Sequence, residues 1–243
     1  MQSDETFQVR SPARRQIWLY AGFGIFVCAM LVGGFRSFFA NVLTTGHPAA
    51  GMSYALFHAL LMISWCGLFL SQVFMIRAGR VDLHRKSGLV GVALLAVIAI
   101  TGYSVSVQSV RLGGVHVFAE RGADFIYLLV FMFSFLVLAA LGILFRKRPE
   151  FHKRFMLSSM IALLPAGLIR MPFPFLSVAF PLVLLALTDL TVIVAGAWDF
   201  IRNGRVHPAY GIALAIIVAL QALTLVIATS PVKDRLISLL VGG

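Results

Sequence analysis

Residues 125–145 have the sequence FIYLLVFMFSFLVLAALGILF, which contains no charged side chain. An α-helix rises 1.5 Å per residue, so a helix of this length crosses the roughly 30 Å hydrocarbon core of a bilayer. We place a transmembrane span over 124–145, and further apolar stretches predict spans elsewhere in the chain. These cover residues 17–37, 54–76, 87–109, 155–171, 176–198 and 210–228.

The composition supports a membrane protein over a soluble one. Apolar residues make up 60% of the 243 residues, and charged residues only 12%. A soluble domain carries roughly 25% charged residues. Backbone polar groups in lipid must be satisfied within the chain, so the spans are expected to be helices. We therefore predict an all-α polytopic membrane bundle of about seven transmembrane helices, in which the fifth span is the weakest.

The whole chain, 1–243, is predicted to form one integral membrane domain. It consists of an N-terminal segment (1–16), a helix bundle (17–228) and a tail (229–243) that either forms a short amphipathic helix on the outer surface or frays. We see no internal repeat and no low-complexity linker that would divide it.

Basic residues orient the bundle. The formal net charge is +11, and most lysines and arginines fall on one side, in the N-terminal segment and the loops around 77–86, 146–154 and 199–209. The positive-inside rule places this side, and the N-terminus, in the cytoplasm. Cations at these loops meet anionic lipid head groups. The bilayer is therefore the expected partner, and nucleic acid is not.

Histidines are the first candidates for chemistry. His84, His152 and His207 stand on the basic side at the starts of spans three, five and seven, whereas His58 lies within span two. An ionisable residue inside a membrane is costly and therefore a functional candidate. The alternative for His58 is a neutral imidazole hydrogen-bonded to a neighbouring helix.

Two of these histidines are each followed by two cations. A b-type haem needs two imidazoles on facing helices, with cations near its propionates. The alternative is that histidines and cations anchor helix ends at the membrane interface. The two motifs are His84-Arg85-Lys86 and His152-Lys153-Arg154.

The segment 54–170, including the run from His58 through residues 69–72 to 75–77, resembles the four-helix core of the transmembrane cytochromes b561. That resemblance implies two b-type haems and a transmembrane electron carrier with a redox partner or small-molecule substrate. It pairs His84 with His152 near the cytoplasm, and His58 with His116 outside. His116 departs from the pattern, because it lies roughly 13 Å beyond the apolar start of span four.

The same motifs are similar to those of uncharacterised bacterial multi-pass families. These families start one span with His-Arg-x-x-Gly, as in residues 84–88, and another with His-Lys/Arg-Arg-x-Met, as in 152–156. Arg170 matches their trailing arginine. The similarity implies a multi-pass protein of the bacterial inner membrane and no particular activity.

A metal-dependent membrane enzyme is one alternative. Three histidines and a water make a catalytic zinc site, and His84, His152 and His207 are the candidate ligands. Asp82 or Asp199 would orient a ligand or act as a base. No spacing of the HExxH type supports this hypothesis.

A proton-coupled transporter is the other alternative. Asp189 lies deep in span six, with Gln221 in span seven and Asp124 at the outer edge of span four as possible companions. Buried acids mark proton or ion paths, and interrupted spans mark substrate sites. Pro165 interrupts span five, but no inverted repeat accompanies it.

Overall fold

The computed structural model describes residues 12–46, 53–111, 123–171 and 180–242, and helices make up almost all of this part of the chain. The helices are α1 (Pro12–Gly34), α2 (Arg36–Thr45), α3 (Ser53–Arg77), α4 (Val81–Arg111), α5 (Ala123–Leu144), α6 (Pro149–Ile161), α7 (Leu164–Leu168), α8 (Phe180–Asn203), α9 (Pro208–Ala228) and α10 (Val232–Ile237), followed by a π-helical turn over Ser238–Gly242.

Six of the described helices are long and apolar enough to cross a membrane: α1, α3, α4, α5, α8 and α9. The predicted all-α membrane bundle is confirmed. Several boundaries differ from the prediction; α8, for example, ends at Asn203 rather than at residue 198. The first span ends at Gly34 and is continued by the separate helix α2, and α4 begins at Val81, so that His84 lies in its first turn.

The predicted fifth span is broken into α6 and α7, neither of which is long enough to cross a membrane alone. Pro165 lacks an N–H and cannot continue the hydrogen-bond ladder of α6. The chain therefore turns at Ala162 and Leu163 before α7 begins.

This broken helix is nevertheless the centre of the bundle. Almost every residue from 154 to 169 is buried, including Ser158 and Ser159, which have no exposed surface. Helix α6 packs against α1, α5, α8 and α9, and α7 packs against α1, α5 and α8. Surrounded by protein rather than lipid, the helix does not need an apolar surface on every side. This explains its weak hydropathy.

Helices α1 and α7 approach each other at their glycines. A Cβ atom on Gly34 would overlap the carbonyl of Gly167, and a Cβ on Gly167 would lie 2.5 Å from the carbonyl oxygen of Met30. Small residues let membrane helices come into backbone contact, where van der Waals packing replaces the hydrophobic effect. The contact holds the broken helix against α1.

The tail is helical, as one of the two predictions for it proposed. Helix α10 and the π-helical turn contact α9, α5 and α4. The hydroxyl of Tyr103 on α4 donates a hydrogen bond to the carbonyl oxygen of Leu240 at 2.7 Å. The tail is thus fastened back onto the bundle.

Candidate functional site

The N-termini of α4, α6 and α9 meet at one end of the bundle, which we call the basic face. His84, in the first turn of α4, and His152, in the first turn of α6, lie there in ring contact. Their ring centroids are 6.0 Å apart and the ring planes are nearly perpendicular, at 85°. The basic face therefore brings together two of the three histidines that the sequence placed on this side.

The ring nitrogens of these histidines are only partly used. Nδ1 of His152 lies 2.8 Å from the carbonyl oxygen of Gly142. A carbonyl can only accept, so Nδ1 carries a hydrogen, and in the neutral ring the lone pair is then on Nε2. Nδ1 of His84 is buried and has no hydrogen-bond partner. The backbone of Gln72 on α3 interacts with the same ring.

The two histidines come from helices that share no extensive contact in the described part of the chain. Helix α5 packs against both α4 and α6, and the two imidazoles meet from either side. Beside them, the amide of Gln72 on α3 donates to the hydroxyl of Ser87 at 2.7 Å, which fixes α3 to the start of α4.

The four cations of the two histidine motifs have different environments. Arg154 is buried, and its Nε and Nη2 donate to the carboxylate of Asp199 at 3.2 and 2.6 Å. Lys153 donates to Glu150 at 2.7 Å. Arg85 and Lys86 are exposed at the start of α4. Of the four cations expected to neutralise propionates, Arg154 and Lys153 are thus held by acidic residues of the protein itself.

Asp199 is the hub of a buried ionic network. Besides Arg154, its carboxylate accepts hydrogen bonds from the amide of Asn203 at 2.8 Å and from the backbone N–H of His207 at 3.1 Å. From the sequence, Asp199 was expected only to orient a metal ligand or act as a base. The sequence signal that could have predicted this ion pair is the placement of Arg154 and Asp199 at the same predicted depth, at the ends of neighbouring spans.

Glu150 extends this network to the surface. Its carboxylate accepts from Nη1 of Arg154 at 2.5 Å, and the side chain is 57% exposed. Burial opposes ionisation of Glu150, but the hydrogen bonds from Arg154 and Lys153 outweigh it and hold the pKa below its ordinary value. Glu150 is therefore ionised at neutral pH and shares the charge of Arg154.

His207 plays a separate part, as the N-cap of α9. Its Nδ1 accepts from the backbone N–H of Ala209 at 3.2 Å, and its ring contacts Phe151. Burial lowers the pKa of His207, and the nearby Arg154 lowers it further. The imidazole is thus neutral, as an acceptor must be.

The predicted three-histidine zinc site is not assembled. Among the described residues, no three histidine, cysteine, aspartate or glutamate side chains are grouped as a metal site would require. His207 also uses a ring nitrogen to cap its own helix. The structure leaves His84 and His152 as a pair.

At the opposite end of the bundle, His58 bonds to the neighbouring helix α4. Its Nδ1 lies 2.9 Å from the hydroxyl of Thr101, which itself donates to the carbonyl of Val97 at 2.8 Å. The hydroxyl therefore accepts from His58, and Nε2 of His58 keeps its lone pair. His116, the outer partner implied by the cytochrome resemblance, lies outside the described residues.

His58 and Arg170 both line a cavity of about 1330 Å³ at this opposite end. The cavity lies between α1, α2, α3, α4, α5 and the end of α7. The sequence placed Arg170 at the end of the fifth span but gave no sign of an open space beside it. A cavity arises where helix packing is incomplete, and no local pattern records that.

Asp189 and Gln221 meet between α8 and α9. The amide of Gln221 donates to the carboxylate of Asp189 at 3.0 Å, so the companion proposed from the sequence is in contact. The side chain of Asp124, the other proposed companion, lies outside the described part. The observed bond ties the acid to a neighbouring helix.

No protein-family model, curated protein or solved structure matches the chain. The functional proposals below therefore rest on the geometry of the two ends of the bundle.

Proposed function

We propose that the protein is a membrane-embedded electron carrier that holds a b-type haem between His84 and His152. The observation that supports this most is the meeting of two imidazoles from helices that do not pack extensively, with Nδ1 of His152 held by a backbone carbonyl. Two neutral imidazoles are the donor set that a low-spin b haem requires.

His84 and His152 would be the two residues that hold the haem iron, each through one imidazole nitrogen. The centroids of His84 and His152 are 6.0 Å apart. The bond from His152 to a backbone carbonyl is the usual means of fixing a ligand imidazole's tautomer and orientation.

The remaining parts of the site follow from the surrounding residues. Haem iron supplies one-electron redox chemistry, with a potential set by its ligands and by the polarity around it. Arg85 and Lys86 are the cations free to meet propionates, since Lys153 and Arg154 already pair with acids. Such a haem would exchange electrons with a redox partner or a small molecule at the basic face.

The proposal predicts a haem spectrum that depends on both histidines. Protein purified after expression with ample haem is expected to show a Soret band that shifts on reduction with dithionite. His84→Ala and His152→Ala would each remove one imidazole that holds the haem, so each variant is expected to lose most of its bound haem or change its reduced spectrum. The measurement is absorption together with haem content per chain.

His207→Asn is the matched control. It removes a histidine from the same face, while the asparagine side chain can still cap α9. Its spectrum is expected to equal that of the unaltered protein. A protein that folds but shows no Soret band, or whose band survives the loss of both His84 and His152, would contradict the proposal.

A further inference from the structure

We propose that the cavity around Arg170 is a binding site for one acidic phospholipid, whose phosphate is held by the Arg170 guanidinium. The site lies at the end of the bundle opposite the His84–His152 pair and does not depend on haem.

Arg170 has no acidic partner among the described residues. Its Nη1 donates to the carbonyl of Ala166 at 2.6 Å, and its guanidinium lies 4.3 Å from the ring centre of Phe35. The side chain is only partly exposed. A cation held within a bundle at membrane depth is costly unless a counter-charge meets it. Within the described ranges no further acceptor meets the remaining N–H groups of Arg170, so they can meet an anion.

The charged side chains in the described lining of the cavity are all cationic. Its described lining includes Arg170, Arg36 and the imidazole of His58, and contains neither aspartate nor glutamate. Asn41, Gln108 and Ser109 add uncharged polar groups suited to the ester and hydroxyl groups of a lipid. An anionic head group complements this lining. An ammonium head group would meet cations and no carboxylate.

The rest of the wall is apolar. Acyl chains can pack against the apolar side chains that line it, which include Met62, Leu70, Ile98, Phe131 and Phe135. At about 1330 Å³ the cavity exceeds the roughly 300–1,000 Å³ of ordinary small-molecule pockets. A molecule with a head group and long chains fits this size better than a short organic acid.

Phosphate suits the arginine. A guanidinium presents paired N–H groups in a planar fork that matches two phosphate oxygens, which an ammonium cannot do. Arg170→Lys keeps the charge but loses the fork, whereas Arg170→Gln loses both. Arg111→Gln removes a cation at the end of α4, outside the described lining of the cavity, and serves as the matched control.

The test is native mass spectrometry of the purified full-length protein, delipidated in detergent and titrated with single lipids. Phosphatidylglycerol and phosphatidic acid are expected to bind with a stoichiometry of one, and at least tenfold more tightly than phosphatidylethanolamine. Binding is expected to weaken at least tenfold in Arg170→Gln and by a smaller factor in Arg170→Lys, and to be unchanged in Arg111→Gln.

The other arms separate the sources of the anion. Inorganic phosphate alone is expected not to compete, because it lacks the acyl chains, and oleate is expected to compete weakly. Equal affinity for phosphatidylethanolamine, or unchanged phosphatidylglycerol binding in both Arg170 variants, would overturn the proposal. So would tighter binding of oleate than of the phospholipids, since the site would then be a carboxylate site. If Arg170→Gln does not fold, the phosphatidylglycerol affinity of Arg170→Lys alone tests the proposal.

Discussion

Asp199→Ala is expected to lower the free energy of unfolding by about 3–5 kcal/mol, the range found when one partner of a buried ion pair is removed. Arg154 would keep its charge while losing two hydrogen bonds, and its side chain is 97% buried within the protein. Asn203 and the backbone of His207 would lose their acceptor as well. The substitution thus removes the buried counter-charge of Arg154, which keeps only its bonds to Glu150, and takes an acceptor from two further donors.

Unfolding by denaturant in detergent micelles, followed by tryptophan fluorescence, would measure this loss. Glu150→Gln is the matched control, because it removes the exposed partner of the same arginine and is expected to cost at most about 1 kcal/mol. The double variant Arg154→Met with Asp199→Leu is expected to be more stable than Asp199→Ala, since no charge remains buried. Equal stability of Asp199→Ala and the unaltered protein would refute the assignment of Asp199 as the hub.

Gly167→Val is expected to destabilise the protein by about 3 kcal/mol, at the upper end of the cost of overpacking. A Cβ at this position would lie 2.5 Å from the carbonyl oxygen of Met30 and 3.0 Å from the Cα of Leu31. Both neighbours are backbone atoms of α1, so neither can rotate away as a side chain would. The overlap of the valine side chain with α1 is relieved only if α1 and α7 move apart along their whole contact.

Gly22→Ala on α1 is the comparison for this second prediction. A Cβ on Gly22 meets nothing within 4 Å, so the substitution is expected to be neutral or to stabilise the helix by up to about 1 kcal/mol. The same unfolding measurement applies to both variants. If Gly167→Val proved as stable as Gly22→Ala, the close approach of α1 and α7 would be wrong.

The long apolar stretches were predictable because length and hydropathy are local properties. The predicted span 124–145 agrees with α5 (Ala123–Leu144) to within one residue at each end. The fifth span was also recognised as weak, from its shortness and Pro165. Its central position was not predicted, because a helix buried within the protein and a weakly apolar span that faces lipid have the same low hydropathy.

The sites were predicted less completely, because they depend on lateral arrangement. The start motifs of α4 and α6 placed His84 and His152 at the same membrane face, and ring contact followed in the structure. The partners of Arg154 were missed, since Asp199 is distant in sequence and belongs to a helix whose neighbours the sequence does not reveal. A count of loop cations cannot tell a solvated arginine from a buried one.

The broken helix at the centre of the bundle also bears on how the protein enters the membrane. A segment that carries a buried arginine and a proline is poorly favoured by lipid, because its cation needs a counter-charge within the protein. The carboxylate that neutralises Arg154 belongs to α8. Helix α9, which is synthesised later still, also packs against α6. The charge of Arg154 is therefore neutralised within the core only after the helices that follow α6 in the chain have been synthesised.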